Sequence, residues 1–349
     1  MHLPCRNLGA EDGWKRRHIV THRILVIGCG SHGQRHLRCF LRTGRVEAAI
    51  CDQDPRLVER ASGKHGVVGF NDWQTALIVH DPEAVVIAAS AAQHVPIAAF
   101  ALRHGAGVLI EKPLSTTLDD LPAMNQALAG SRAAAAVAYV GRFLPGLAQM
   151  REFLRSGAFG APLQVAASAG QHLPTMRPDY RETRDAFLES GGGAIHSELT
   201  DLVDAVQWLV GPATRLYCEA ACQSLTAVEV EDTVCVTARH GHLLAGYSLN
   251  QFQAPNELMI QVHCQQGSLR FESHRQRWSK FPLGADAWEH HAAPIDQDDD
   301  PFVALAHAFL DCLEKKDTPI CTVAEAERAL RFNLAAHRSA RESIMVTVD

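Results

Sequence analysis

From Arg23 to about Tyr139, short apolar runs alternate with longer amphipathic ones. RILVIG, VEAAIC, EAVVIAAS, GVLI and AAAAVAYV are apolar without alternation, which predicts strands buried on both faces, as in a parallel sheet. Between them, SHGQRHLRCFLRTG, PRLVERASGKHG, HVPIAAFALRHG and STTLDDLPAMNQALAG predict helices. Gly44, Gly66 and Gly105 stand where helices stop, and Pro55 where a first helical turn tolerates it. Strand and helix in this order predict an α/β domain with a doubly wound parallel sheet.

After Arg142 the pattern changes. LPGLAQMREFLRSG predicts one more helix and QVAASAG a strand, followed by a helix entered through GGG at 191–193. RLYCEAAC, DTVCVTARH, LLAGYSLNQF, ELMIQVHCQQ and GSLRFES predict five strands on short turns, an antiparallel sheet with one helix-covered face. GADAWEHHAAPIDQDDDP is expected as a polar, acidic loop, and VALAHAFLDCLEKK and VAEAERALRFNLAAHRSARES as closing helices. The domain organisation expected is a flexible N-terminal extension over 1–22, a first domain over 23–142 and an α+β domain over 143–349. The last helices are free to pack back on the first domain.

Length and composition fit that division. At 349 residues the chain suggests two domains, and 47% hydrophobic with 21% charged residues describes a globular protein. A net charge of −6 argues against a nucleic-acid or anionic-membrane partner. No apolar run approaches the roughly 18 residues of a membrane span, and the first 22 residues lack a signal-like apolar segment. Ten scattered cysteines without a CxxC pair predict reduced, buried thiols and a cytoplasmic setting. Nineteen histidines show no HExxH or comparable spacing, so no metal site is expected.

Chemistry enters at Gly28-Cys29-Gly30-Ser31-His32-Gly33, a G-x-G-x-x-G directly after RILVI and before a helix. Gly28 allows the tight turn, Gly30 lets backbone approach a pyrophosphate, and Gly33 lets helix and strand pack closely. The helix start at Ser31 and His32 offers free N–H groups to phosphates. Asp52 ends the second strand where a carboxylate would hold the adenosine ribose, which favours NAD, while Arg56 one turn on leaves NADP open. GVLIEKPLS puts Glu111 and Lys112 at the carboxyl end of a buried strand, near the switch point where ligands bind. Lys112 there is read either as a snorkelling surface cation or as a group that binds a substrate oxygen, with a pKa lowered by desolvation.

From Arg23 nearly to the C-terminus the chain resembles the Gfo/Idh/MocA oxidoreductases. The likeness covers GCGSHG, Asp52, QHVPIAAFALRHGAGVLIEKPLS, Tyr139 with Arg142-Phe143, the GGG helix with QWLVG, and the final helices. It implies a Rossmann domain followed by an open-faced sheet domain used for oligomerisation, as a homodimer or homotetramer. It also implies hydride transfer between a nicotinamide and a sugar, nucleotide sugar or cyclitol. Lys112 matches the family's catalytic and substrate-binding lysine, Glu111 its partner beside the nicotinamide, and His94 a histidine of a T-P-N-x-x-H segment. That segment reads ASAAQH here, so Ser90 replaces the proline and Ala91 stands where an asparagine often contacts the cofactor. GQHLPTMRPDYRE resembles a stretch in members of surface-polysaccharide or acidic-sugar pathways, which brings His172 and Tyr180 forward as substrate-binding residues.

Many relatives carry D-x-x-x-H-x-x-D after the glycines, and those positions fall here on Ser197, Asp201 and Asp204. At helical spacing Ser197, Asp201, Asp204 and Trp208 form one stripe. Three readings stay open. Asp201 does acid–base work with Lys112 or binds a substrate hydroxyl; His196 supplies an imidazole from another angle; or Lys112 acts alone or turnover is lost. The rivals to a dehydrogenase are therefore a cofactor-binding regulator or scaffold, and a lyase or hydrolase using NAD transiently.

Overall fold

The computed structural model describes residues 21–182, 186 and 192–348. The expected extension thus lies outside the described residues up to position 20, as does Gly191. In the first domain the elements run β1 (His22–Ile27), α1 (Ser31–Arg42), β2 (Val46–Cys51), α2 (Pro55–His65), β3 (Val68–Phe70) and α3 (Trp73–His80). They continue as β4 (Ala84–Ile87), α4 (Ala91–Arg103), β5 (Gly107–Ile110), α5 (Leu121–Gly130) and β6 (Ala135–Val137). The six strands are parallel in the order β3-β2-β1-β4-β5-β6, so the chain reverses direction of travel at β1 and β4. β1, β4 and β5 are almost fully buried, as an unalternated apolar run requires.

Three expectations shift here. β1 begins at His22, whose buried ring meets Glu83 and Glu314 at 2.9 and 3.2 Å, so the first strand takes in the last residue of the expected extension. β3 and α3 were not expected; α3 is short and keeps Ile78 and Val79 exposed, so it has no amphipathic stripe to read. α5 starts only at Leu121, because STTLDD forms turns before the helix.

A 3-10 turn at Val140–Phe143 leads into α6 (Pro145–Arg155), β7 (Pro162–His172) and α7 (Leu173–Met176). A π-turn at Ile195–Leu199 runs into α8 (Thr200–Val210). Next come β8 (Arg215–Ala221), β9 (Thr233–His240), β10 (Leu243–Asn250), β11 (Phe252–Cys264), β12 (Gly267–Glu272), β13 (Arg277–Pro282) and β14 (Glu289–Ala292). α9 (Asp300–Leu313), α10 (Val323–Glu342) and β15 (Val346–Thr347) close the chain. The sheet order is β14-β13-β12-β11-β7-β10-β9-β8-β15, antiparallel except for β7 beside β10. β13, β14 and β15 extend the sheet beyond the expected strands, with β14 and β15 at its edges, and β14 lies within the segment expected as a loop. Its EHHA is polar and largely exposed, as an edge strand tolerates.

β10 alternates buried and exposed residues along its length, so one sheet face packs under α6, α8 and α10, and among the described residues no helix covers the other. α9 instead lies on the first domain. Its Leu305, Ala306, Phe309 and Leu310 share a buried cluster with Ile24, Val26, Leu37 and Phe40. Among the described residues no helix is long and apolar enough to cross a membrane, and no group of three His, Cys, Asp or Glu is placed to hold a metal.

Candidate active site

The glycine-rich loop is closed on itself and open on one side. A Cβ on Gly28, whose φ is +105°, would lie 2.4 Å from the Ala88 carbonyl oxygen, and one on Gly33 only 1.7 Å from that of Gly28. At Gly30 nothing lies within 4 Å, so bare backbone faces a cleft of about 380 Å³. The start of α1 carries no side-chain cap, which leaves its first N–H groups to an outside acceptor. Asp52 holds the loop by accepting from the backbone N–H of Cys29 at 2.7 Å and of Asp54 at 3.0 Å, while lining the cleft. Arg56 turns instead to Asp54, at 2.9 Å. These features fit a dinucleotide: a pyrophosphate against Gly30 and the α1 start, and a ribose beside Asp52.

Ser31, His32 and Ser90 line the same cleft, but His94 is buried beneath it. Its ring nitrogens face the carbonyls of Pro113 (2.9 Å) and Ala89 (3.2 Å), so it ties together two loops that border the cleft. Glu111 is buried as well. It accepts from His36 Nε2 at 2.6 Å and from the Lys112 N–H at 3.0 Å. Burial works against this carboxylate, yet His36, then His32 and Lys112, bring its pKa down to about 2. His36, one turn after His32 on α1, is a positioning residue that the sequence reading did not single out.

Lys112 follows β5 and reaches across to the helix after the glycines. Its Nζ donates to the Ser197 carbonyl at 2.7 Å and pairs with Asp201 at 2.8 Å. The π-turn places that carbonyl within reach, because a π-turn breaks the regular i→i−4 ladder and re-aims the residues it contains. The expected lowering of the Lys112 pKa is reversed. Burial does oppose the charge, but Asp201 and then Glu198 outweigh it and hold the ammonium above its ordinary value. Lys112 is a fixed cation.

Lys112 separates the cofactor cleft from a second cavity of about 280 Å³, bordered by His32, Arg35, Gln171, Arg177, Glu198 and Asp201. A groove of about 290 Å³ continues from Gln171, Glu198 and Asp201 along the sheet. The expected stripe on α8 splits between two environments. Asp201 faces Lys112, whereas Asp204 is buried in a bidentate pair with Arg142 at 2.6 and 2.9 Å, and Arg142 and Arg151 lie over Trp208. Ser197 presents its carbonyl rather than its hydroxyl, which bonds back to Gly193.

Three residues expected in the site, His196 for catalysis and His172 and Tyr180 for substrate binding, stand apart from Lys112 and Asp201. His196 is buried on the cofactor side with its ring 4.4 Å from that of His337, and burial pushes its pKa down to about 4, so it is neutral at physiological pH. His172 bonds the Thr175 hydroxyl, and Tyr180 packs with Leu173 and Leu225. Their segment reaches the second cavity through Gln171, Leu173, Met176 and Arg177. Glu198, not singled out from the sequence, lines the cofactor cleft, the second cavity and the groove. Its spacing of three from Asp201 was the available signal.

A model described as an oxidoreductase family with an NAD-binding Rossmann fold matches residues 22–139, and the GFO/IDH/MocA C-terminal domain matches 147–270. The chain belongs to the Gfo/Idh/MocA oxidoreductase family. Among curated members, inositol 2-dehydrogenase of Burkholderia vietnamiensis (strain G4 / LMG 22486) is 29% identical over 198 residues, covering 55% of each chain. That of Salmonella typhimurium (strain LT2) is 27% identical over 197 residues with the same coverage. The match thus spans about half the length of these relatives. In fold, levoglucosan dehydrogenase, solved with NADH and levoglucosan, superposes with a TM-score of 0.86 at 18% identity, over 94% of this chain and 99% of that one. The WlbA dehydrogenase of Bordetella pertussis, solved with NADH and UDP-GlcNAcA, gives 0.82 at 23% identity, over 94% and 98%.

Proposed function

We propose that this chain is an NAD-dependent dehydrogenase that interconverts a secondary alcohol and a ketone on a sugar, nucleotide sugar or cyclitol. The observation that carries this is the position of Lys112, a fixed cation between the cofactor cleft and a polar second cavity. Bound NAD supplies the hydride acceptor. The pyrophosphate would rest on Gly28, Gly30, Ser31 and His32 with Gly33 packing behind, the ribose on Asp52, and the nicotinamide end near Ser90 and Glu111. Among the described residues Ser197 and Asp201 take two of the three N–H groups of Lys112, leaving one to bind and polarise the substrate oxygen. Glu111 steadies Lys112 through its backbone N–H, and Asp201 keeps it charged and aimed. A cavity of about 280 Å³ takes a monosaccharide or cyclitol ring, and the groove beside it gives room for a larger substituent.

The test is a fluorescence titration with NADH and, separately, NADPH, followed by NAD reduction assays with myo-inositol, levoglucosan and UDP-GlcNAcA. Saturation by NADH with turnover of at least one polyol is expected; absence of binding in folded protein would sink the reading. Lys112→Ala should remove turnover while leaving NADH binding within a few-fold. A second reading, a cofactor-binding regulator or scaffold, draws on one observation: the helix offers Lys112 a carboxylate, Asp201, where many relatives carry an imidazole. Tight NADH binding without turnover would favour it.

Two further parts of the proposal concern setting. A homodimer or homotetramer assembled through the sheet face that no described helix covers is supported by the small exposed residues Gly246 and Ser248 there. A cytoplasmic location is supported by nine free cysteines among the described residues.

A further inference from the structure

Resting on the dehydrogenase reading, we infer that Glu198 is the group that accepts the hydroxyl proton in alcohol oxidation and returns it in ketone reduction. Among the described residues it alone lines all three cavities: the cofactor cleft, the second cavity and the groove along the sheet. A substrate carbon that passes hydride to NAD must sit where the first two meet. His32, Glu111, Lys112, Arg177 and Glu198 line both. The cations Lys112 and Arg177 have no site for a further proton, and Glu111, despite its burial, is held well below the usual carboxylate range by His36 at 2.6 Å and also accepts the Lys112 N–H at 3.0 Å.

The other candidates are disposed of by their own contacts. Asp201 is locked to Lys112 at 2.8 Å and does not line the cofactor cleft. His196 does not line the second cavity and is paired with the His337 ring. His32 does line it, but burial lowers its pKa despite Glu111, which makes it a weak proton acceptor.

The surroundings of Glu198 suit the task. Facing it are Lys112 after β5, Asp201 on α8, Arg177 after α7 and Gln171 on β7. Burial, reinforced by Asp201, raises its pKa above the ordinary glutamate value, against the pull of Lys112 and Arg177 and a hydrogen bond to Gln171. A carboxylate raised towards neutral pH serves better as both acceptor and donor. During oxidation the substrate O–H bond breaks and its proton goes to the Glu198 carboxylate. The C–O bond becomes C=O, and the hydrogen on carbon leaves with its electron pair to NAD, the oxidant. Lys112 keeps its protons throughout and stabilises charge on the substrate oxygen.

The experiment compares wild type, Glu198→Gln and Glu198→Asp, using whichever of myo-inositol, levoglucosan or UDP-GlcNAcA reduces NAD. Glu198→Gln should lower kcat by about 10²–10⁴-fold with KM little changed, and NADH binding should stay at the wild-type value. The acid limb of the wild-type rate profile should vanish in Glu198→Gln and move in Glu198→Asp, which regains part of kcat. Infrared titration of substrate-free protein gives a readout independent of turnover. A protonated-carboxyl band persisting above the usual glutamate range should be lost in Glu198→Gln. Unchanged kcat and acid limb in Glu198→Gln, or an unchanged band, would overturn the assignment. If the wild type binds NADH but oxidises none of the three polyols, the dehydrogenase reading itself fails and takes this one with it.

Discussion

At the scale of single residues, the cofactor side of the site depends on two buried or half-buried carboxylates. Asp52 is part of the glycine-rich loop as much as a ribose contact, since it accepts from Cys29 and Asp54 backbone N–H groups. Asp52→Ala should therefore weaken NADH binding by about tenfold or more, given roughly 1.5–3 kcal/mol for a hydrogen bond to a charged group, and narrow the gap between NADH and NADPH. Parallel titrations would show both effects. Glu111 depends in turn on His36 at 2.6 Å. Removing one partner of a buried pair costs about 3–5 kcal/mol, so His36→Ala should lower the unfolding free energy extrapolated from a denaturant titration by an amount in that range. Because the Glu111 pKa is depressed to about 2, its stabilisation is complete above the usual carboxylate range and lost as pH falls towards 2. Gly28, Gly30, Gly33, Asp52 and Lys112 were legible because each answers a demand set within a few residues of chain: a turn, a close approach, a strand end. His36 was not, because its partner Glu111 stands 75 residues away, and Glu198 was not, because Lys112, Arg177 and Gln171 come from other elements and only the fold brings them to it.

At the scale of elements, the parallel strands read cleanly because burial on both faces leaves an unbroken apolar run. Elements without such a constraint did not. α3 buries only Ala76 and Leu77, and β14 is a polar edge, so neither shows a period. The helix after the glycines was placed correctly in the chain but not in detail, since the π-turn at Ile195–Leu199 departs from the spacing assumed for a straight α-helix. One consequence is the pairing of His196 with His337 on α10. Burial brings their pKa values down to about 4 and about 3, below that of an unfolded histidine at about 6.5. The unfolded chain therefore binds more protons below pH ~6.5, and folding stability should fall as pH drops through that window. Replacing both rings with Phe should flatten this part of the stability curve; an unchanged slope in urea titrations at successive pH values would count against the neutral pair.

At the scale of the whole molecule, two layers meet along the site, and one large sheet face has no helix over it among the described residues. Gly246 lies on that face, and a Cβ there would meet nothing within 4 Å. Gly246→Arg should leave the melting temperature of the isolated fold nearly unchanged yet break the proposed homo-oligomer, with light scattering reporting monomer mass. An unchanged mass would mean that copies associate elsewhere or not at all.

The two sheets are distinct, but the residues that bury each of them are not grouped along the chain. α9 arrives late in the sequence and completes the core of the first domain: Phe309 meets Phe40 edge to face, and Leu313 fills the space that a side chain at Gly107 would need. During synthesis β1 and α1 should therefore leave the ribosome with an apolar strip that awaits α9, more than 250 residues further along the chain. A fragment stopped at residue 142 would carry the exposed strip permanently, so the first half of this chain should aggregate when made alone, however complete its nucleotide loop.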